Sequence, residues 1–354
     1  MSSTFTADIY ACVNGGCIFN YSIYNGGDEP TTNATWKELT SSGSRQWRGI
    51  SCTVIGEDIV ACANKDHIYL SEDRGVSWRS VTDSIGPKSW TAIDCSDTLD
   101  VIVATSTVSD ENPLGGYIWM SRDRGITWRI VSEAQEFGSR TRIERTKYGP
   151  PCGVSNWSCI TISAYGDIIA AAELFGNVWI STDIGETWRN ASINARNANG
   201  SPTFPLAYFS TSDITMSDNG FVIGLVTIPS RQDVGNSFVS KDGGVTWIRF
   251  PLNQRLNCVT CSGDGTKFSI GTNDNFIYTS VNNGQTFSQQ FSSGINKWSA
   301  ITIFSETIGE ETNSLYLASS YWDFVYVSND GITWTKTDTS SGKRPWMDLT
   351  VSQA

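Results

Sequence analysis

Three sets of residues in this chain could do chemistry. The first is carboxylates: Asp73, Asp123, Asp183, Asp242 and Asp330 recur in one local pattern, with Asn282 in a sixth copy, while Asp94, Asp213 and Asp348 stand in apolar strand patterns. Glycoside hydrolysis needs two carboxyl groups roughly 5 to 9.5 Å apart, and nothing in the sequence pairs any of these three with another. The second is Cys258-x-x-Cys261, the spacing of a zinc half-site or a redox pair. It has no companion pair, His67 is the only histidine, and both cysteines fall inside a strand pattern, so neither a metal nor a cofactor is expected. The third set is aromatic and basic. Trp47, Trp90, Trp157, Trp298 and Trp346 each open a Trp-x-x-Ile or Trp-x-x-Leu segment, Thr211 and Leu256 stand in for the aromatic in two further copies, and Arg45, Lys88, Arg255, Lys297 and Arg344 lie just before several of these strands. Rings and cations together suit sugars or acidic side chains through stacking and cation–π contacts.

What must position these residues is a repeat. Ser71-Glu-Asp73-Arg-Gly75-Val-Ser77-Trp78 recurs as Ser121 to Trp128, Ser181 to Trp188 and Ser240 to Trp247; it softens to Ser280 to Phe287 and loses one residue in Ser328 to Trp334. A seventh trace keeps only Thr35-Trp36. The aromatic ends at 36, 78, 128, 188, 247, 287 and 334 are 42, 50, 60, 59, 40 and 47 residues apart, about one four-stranded propeller blade each. An aspartate in a tight turn accepts hydrogen bonds from nearby backbone amides, and the glycine supplies a conformation that side chains resist. The recurring aspartates are therefore read as turn residues and not as catalysts.

The motif resembles the Asp-box, or BNR, repeat of β-propellers, and the resemblance covers nearly the whole chain. It implies an architecture similar to photosystem II assembly factors and sialidase-like propellers, with the Asp-box at the hairpin between third and fourth strands, away from the active face. A sialidase would carry an arginine trio and an early Arg-Ile-Pro, which Ile228-Pro229-Ser230-Arg231 does not match. Xyloglucanases of this type use two propellers, where this chain has the length of one.

The expected fold is all-β: one seven-bladed β-propeller domain over residues 1–354, of four-stranded antiparallel blades. The blades are placed at about 8–42 with 346–352, then 46–83, 89–132, 156–192, 211–252, 256–292 and 297–340. Asp8-Ile-Tyr-Ala-Cys12 matches a second strand without a first, and Trp346 to Ser352 a first strand without a blade. The C-terminal strand should thus complete the first blade and remove the open edges. The alternative is six blades and an unrelated N-terminal segment.

Four insertions interrupt the repeat, at 106–116, 132–155, 192–210 and 227–236; the second carries Arg140, Arg142 and Arg145. Propeller topology brings all four to the face where first strands begin. That face is the expected binding surface, framed by the five tryptophans and their basic neighbours.

The net charge of −11 disfavours nucleic acid, and no stretch reaches the roughly 18 apolar residues that span a bilayer. The N-terminal residues lack a signal peptide's basic start and apolar run, and the nine cysteines read as reduced, so an intracellular, cytoplasmic setting is expected. The functional expectation is a non-catalytic binding or assembly scaffold, monomeric, for a protein or glycan ligand. The alternatives are a lectin with sites between blades and a sialidase-like glycoside hydrolase.

Overall fold

The structure, a computed structural model, describes residues 5–25, 35–107, 116–131, 155–174, 177–191, 195–196, 210–228, 237–308, 311–339 and 342–353. One unit recurs in it: four antiparallel strands in sequence order, joined by hairpins. In the sheet that begins at Trp47, Arg45–Cys52 pairs with Ile59–Asp66, then Ile68–Ser71, then Arg79–Ser80. The Trp90 sheet repeats this with Lys88–Cys95, Ile102–Ser106, Ile118–Ser121 and Arg129–Ile130. The Trp157 sheet does so with Trp157–Ile162, Ile169–Glu173, Val178–Ser181 and Arg189–Asn190.

The Asp213 sheet contains Ser210–Met216, Ile223–Ile228, Phe238–Ser240 and Trp247–Arg249. It also carries a strand the sequence did not announce, Ala195–Arg196, parallel to Trp247–Arg249 at its outer edge. Leu256–Cys261, Phe268–Asn275, Ile277–Ser280 and Ser288–Gln290 form the Cys258 sheet. The Trp298 sheet is built from Asn296–Ile308, Glu311–Asp323, Val325–Ser328 and Thr335–Lys336. In the terminal sheet, Phe5–Gly16 lies between Ile18–Asn25 and Arg344–Gln353, in register from Ala7 opposite Gln353 to Cys12 opposite Asp348, and Lys37–Leu39 forms its edge.

The cores lie between neighbouring sheets. Small, fully buried second-strand residues such as Ala61, Ala104, Ala171 and Ala318 let the sheets approach, and the first-strand tryptophans fill the seams. Trp47 packs on Trp78, Trp90 on Trp128 and Trp346 on Trp36, with centroids 6.4, 6.5 and 5.3 Å apart. The Nε1 groups of Trp90, Trp298 and Trp346 donate to the carbonyls of Asp66, Asn275 and Asp323 in the preceding sheet, each at 3.0 Å. At the opposite end of the sheets, backbone bonds run from turn to turn: Asp97 to Ala164, Ala164 to Asp218, Asp218 to Gly263, and Gln353 to Val54.

The repeated aspartates close the hairpins between third and fourth strands. Asp123 Oδ1 accepts from the Ser121 hydroxyl and the Thr127 amide, both at 2.8 Å, while Oδ2 accepts from the Thr127 hydroxyl at 2.6 Å. Ser121 Oγ in turn accepts from the Gly125 amide. The same bonds hold Asp73, Asp183 and Asp242, and a shortened version holds Asp330. Asn282 keeps the pattern with its amide reaching Thr286. Hydrogen bonds to Ser77 hold Asp73 below the usual carboxylate range, and four amide and hydroxyl donors bring Asp330 to about 2 despite its burial.

Candidate functional site

The site grows from a fault in the strand period. A strand alternates faces every residue, so it buries i and i+2. Trp47 and Ile50 are both buried, three residues apart, which a regular strand cannot arrange. The chain resolves this with a bulge. Trp47 pairs with Ala63 and Gly49 with Cys62, so Arg48 is an extra residue opposite nothing. Register shifts of the same kind leave Thr91, Ser158, Ser212, Asn257 and Ser299 extra in their first strands, and Met347 extra against Phe5–Gly16. Bulges re-aim side chains, and here all of them line one cavity of about 540 Å³. Asn64, Thr107 and Leu174, at the ends of second strands, also line it. It therefore lies where first strands begin, the end of the sheets expected from the sequence.

The cavity wall is rigid on one side and charged on another. Thr91, Ser158, Ser212 and Ser299 donate to second-strand carbonyls of Thr105, Ala172, Val226 and Ser319 at 3.1–3.3 Å. Asn257 Nδ2 donates to the Trp298 carbonyl at 2.6 Å. Hydroxyls fixed in this way present their oxygens as acceptors, while Arg48 brings a guanidinium with no carboxylate in ion-pair reach among the described residues.

Asp213 and Asp348 line the cavity too, deep in the molecule yet still open to it. Burial pushes each up to about 7, against two amides that pull it down; for Asp348 the negative charge of Asp213 adds to the rise. Those amides define their work. Asp348 accepts from Ile50 N in the next sheet at 3.0 Å and from Leu349 N at 2.9 Å, and Asp213 accepts from Val259 N and Ile214 N, both at 2.9 Å. Asp94, raised by burial as well, clasps Ile162 N at 3.1 Å and the Ser51 hydroxyl at 2.9 Å. Each of the three ties one first strand to the next.

Of the residues singled out in the sequence, the tryptophans require correction. Trp47, Trp90, Trp157, Trp298 and Trp346 are 0–1% exposed, with ring faces occupied by the seams, so they offer no stacking platform. The side chain after each one lines the cavity, which Trp90 and Trp157 also border. Among the bases, Arg45 is committed to Asp66 at 2.8 Å and lies 4.0 Å over Tyr69, and Lys88 Nζ donates to the Ile85 carbonyl. Arg344 lies 4.3 Å over Phe19, while Lys297 and Arg255 are exposed. Arg140, Arg142 and Arg145, with most of the four insertions, lie outside the described residues. Cys258 and Cys261 are buried thiols, raised by desolvation, Cys261 to about 12. Among the described residues no three metal-binding side chains converge.

The sequence matches no known family and no curated protein. Solved structures do resemble it. YCF48 from Cyanidioschyzon merolae superposes with a TM-score of 0.53 at 13% identity, over 84% of this chain and 86% of that one. YCF48 bound to a D1 peptide gives 0.50 at 12% identity over 82% and 80%. The GH74 xyloglucanase from Xanthomonas campestris gives 0.53 at 12% identity, over 96% of this chain but 55% of its own. At such identities the likeness shows the fold alone, a β-propeller.

Proposed function

We propose that this chain is a non-catalytic binding scaffold that receives part of a protein ligand in the cavity at the start of its first strands. The proposal includes a single seven-bladed propeller of Asp-box repeats, completed as a monomer when Arg344–Gln353 joins Phe5–Gly16 in the first blade. The observation that carries it is the recurrent bulge. It sends one side chain per first strand to a common centre, and that side chain ranges from Thr and Ser to Asn, Met and Arg. Fixed backbone with variable lining is how a scaffold acquires specificity. YCF48 bound to a D1 peptide supports a protein ligand by analogy of fold. The buried tryptophans remove the repeated platforms that favoured a lectin.

A hydrolase is the competing reading, favoured by Asp213 and Asp348 sharing the cavity with pKa values near 7. Their engagement with backbone amides favours clasps instead. A partner captured by the full chain should lose about tenfold or more in affinity on Arg48→Glu. Turnover of aryl glycosides abolished by Asp213→Asn would replace the scaffold with the hydrolase.

A further inference from the structure

At the end of the sheets that holds the cavity, one hairpin tip breaks a backbone rule. The turns between second and third strands pass through a left-handed residue: Gly15 at φ +75°, Lys65 at +55°, Asp274 at +65° and, in the Trp298 sheet, Trp322 at +62°. Bulky side chains resist this region, and a tryptophan there is an outlier of the kind that persists at functional sites. Trp322 is also 60% exposed, whereas the first-strand tryptophans are sealed in seams. Its ring meets Tyr321 edge to face at 6.0 Å, making an aromatic corner.

Cations gather around that corner in a chain of net charge −11. Lys297 Nζ lies 5.4 Å from the Tyr321 ring, Lys336 and Lys343 share one carboxylate, Asp323, at 3.6 and 3.0 Å, and Arg344 follows in the strand paired with this tip. Asp323 and Ser320 are buried, so the exposed groups are rings and cations, not the fixed hydroxyls and amides that hold a sugar. Exposed tryptophan flanked by cations is the composition of a protein-binding hot spot.

Resting on the assignment of this face as the binding face, we propose that Trp322 anchors an acidic peptide segment of a partner protein. Its ring takes an apolar side chain, and Lys297, Lys343 and Arg344 meet neighbouring carboxylates. The test is selection of displayed random short peptides on the full chain, followed by anisotropy titrations of the recovered peptides. The expected result is peptides that combine Asp or Glu with an apolar residue, weakened about tenfold or more by Trp322→Gly and Lys297→Glu. Glycine accepts φ +62°, so Trp322→Gly should melt no lower than the wild type, which separates lost binding from lost fold. Recovered peptides that bind Trp322→Gly unchanged but lose affinity on Arg48→Glu would overturn the Trp322 anchor and leave the cavity standing. Recovery of no peptide would overturn both. Trp322-dependent binding of polygalacturonate without any peptide would overturn the peptide class.

Discussion

Raising the pH from 5 to 8 should destabilise this protein through two side chains, Asp213 and Asp348. Both are acids raised in the folded state from an ordinary 3.8 to about 7. The folded state therefore holds protons that the unfolded chain has already released, and stability falls as pH rises. Their favourable contribution is complete below about 4 and is lost as pH climbs through 7. Linkage over this window gives about 2 to 3 kcal/mol for each carboxylate, about 5 for the pair. With about 2.1 cal/mol/K per residue, 354 residues convert this into a fall of about 7 °C in Tm. The turn aspartates act in the opposite direction. Asp73, Asp123, Asp183, Asp242 and Asp330 are depressed, so their stabilisation is lost as pH falls below the ordinary carboxylate value. Maximum stability should then sit near about pH 5. Circular-dichroism melts from pH 4 to 8.5 check this, with Asp213→Asn/Asp348→Asn as the flattened counterpart. His67→Asn is the control, since it removes the single histidine of the chain. A wild-type Tm that stays level or rises between pH 5 and 8, or a double variant that keeps the full slope, would refute the reasoning.

Other outcomes follow from neighbouring residues with opposite roles. Trp47→Ala should cost about 3–5 kcal/mol in urea unfolding, because it empties a seam, whereas Arg48→Ala, one residue on, should stay within about 0.5 kcal/mol. Asp123→Ala strands the Thr127 amide and hydroxyl and should cost about 1–3 kcal/mol, with ligand binding unchanged because the turn lies at the far end of the sheet. Gly244→Ala should be worse than about 2 kcal/mol: its φ is +80°, and a Cβ would stand 2.0 Å from Ile180 Cδ1, which thermal melts would register.

How far the sequence could lead depends on the range of the interactions involved. The turn around Asp123 is closed by residues within four positions of it, so its spacing exposes both its geometry and its non-catalytic role. The seam tryptophans were visible as a pattern, but their burial was not, because it depends on which sheet comes to lie alongside. The signal that would have located the cavity was present in Trp47-Arg48-Gly49-Ile50. Two buried positions three apart in a strand require an extra residue, and that residue points elsewhere. Trp322 left no trace of this kind, since its conformation follows from a hairpin length shared with Gly15, Lys65 and Asp274 and not from any preference of tryptophan. Ala195–Arg196 was equally silent: two residues in a long connection pair only because Trp247–Arg249 offers an edge.

The sheet that contains both Phe5–Gly16 and Arg344–Gln353 sets an order of events during synthesis. Ile18–Asn25 can pair with Phe5–Gly16 as soon as both leave the ribosome, but the partner on the other flank, Arg344–Gln353, emerges only after the strands of all the other sheets. Until Arg344–Gln353 emerges, the nascent chain must carry Phe5–Gly16 with one row of amides and carbonyls open. The following sheets can form vectorially in the meantime, each against its predecessor. Slow, uncrowded translation and holding chaperones should therefore raise the yield of native protein more than they would for a β-protein of equal size whose sheets each close on local sequence.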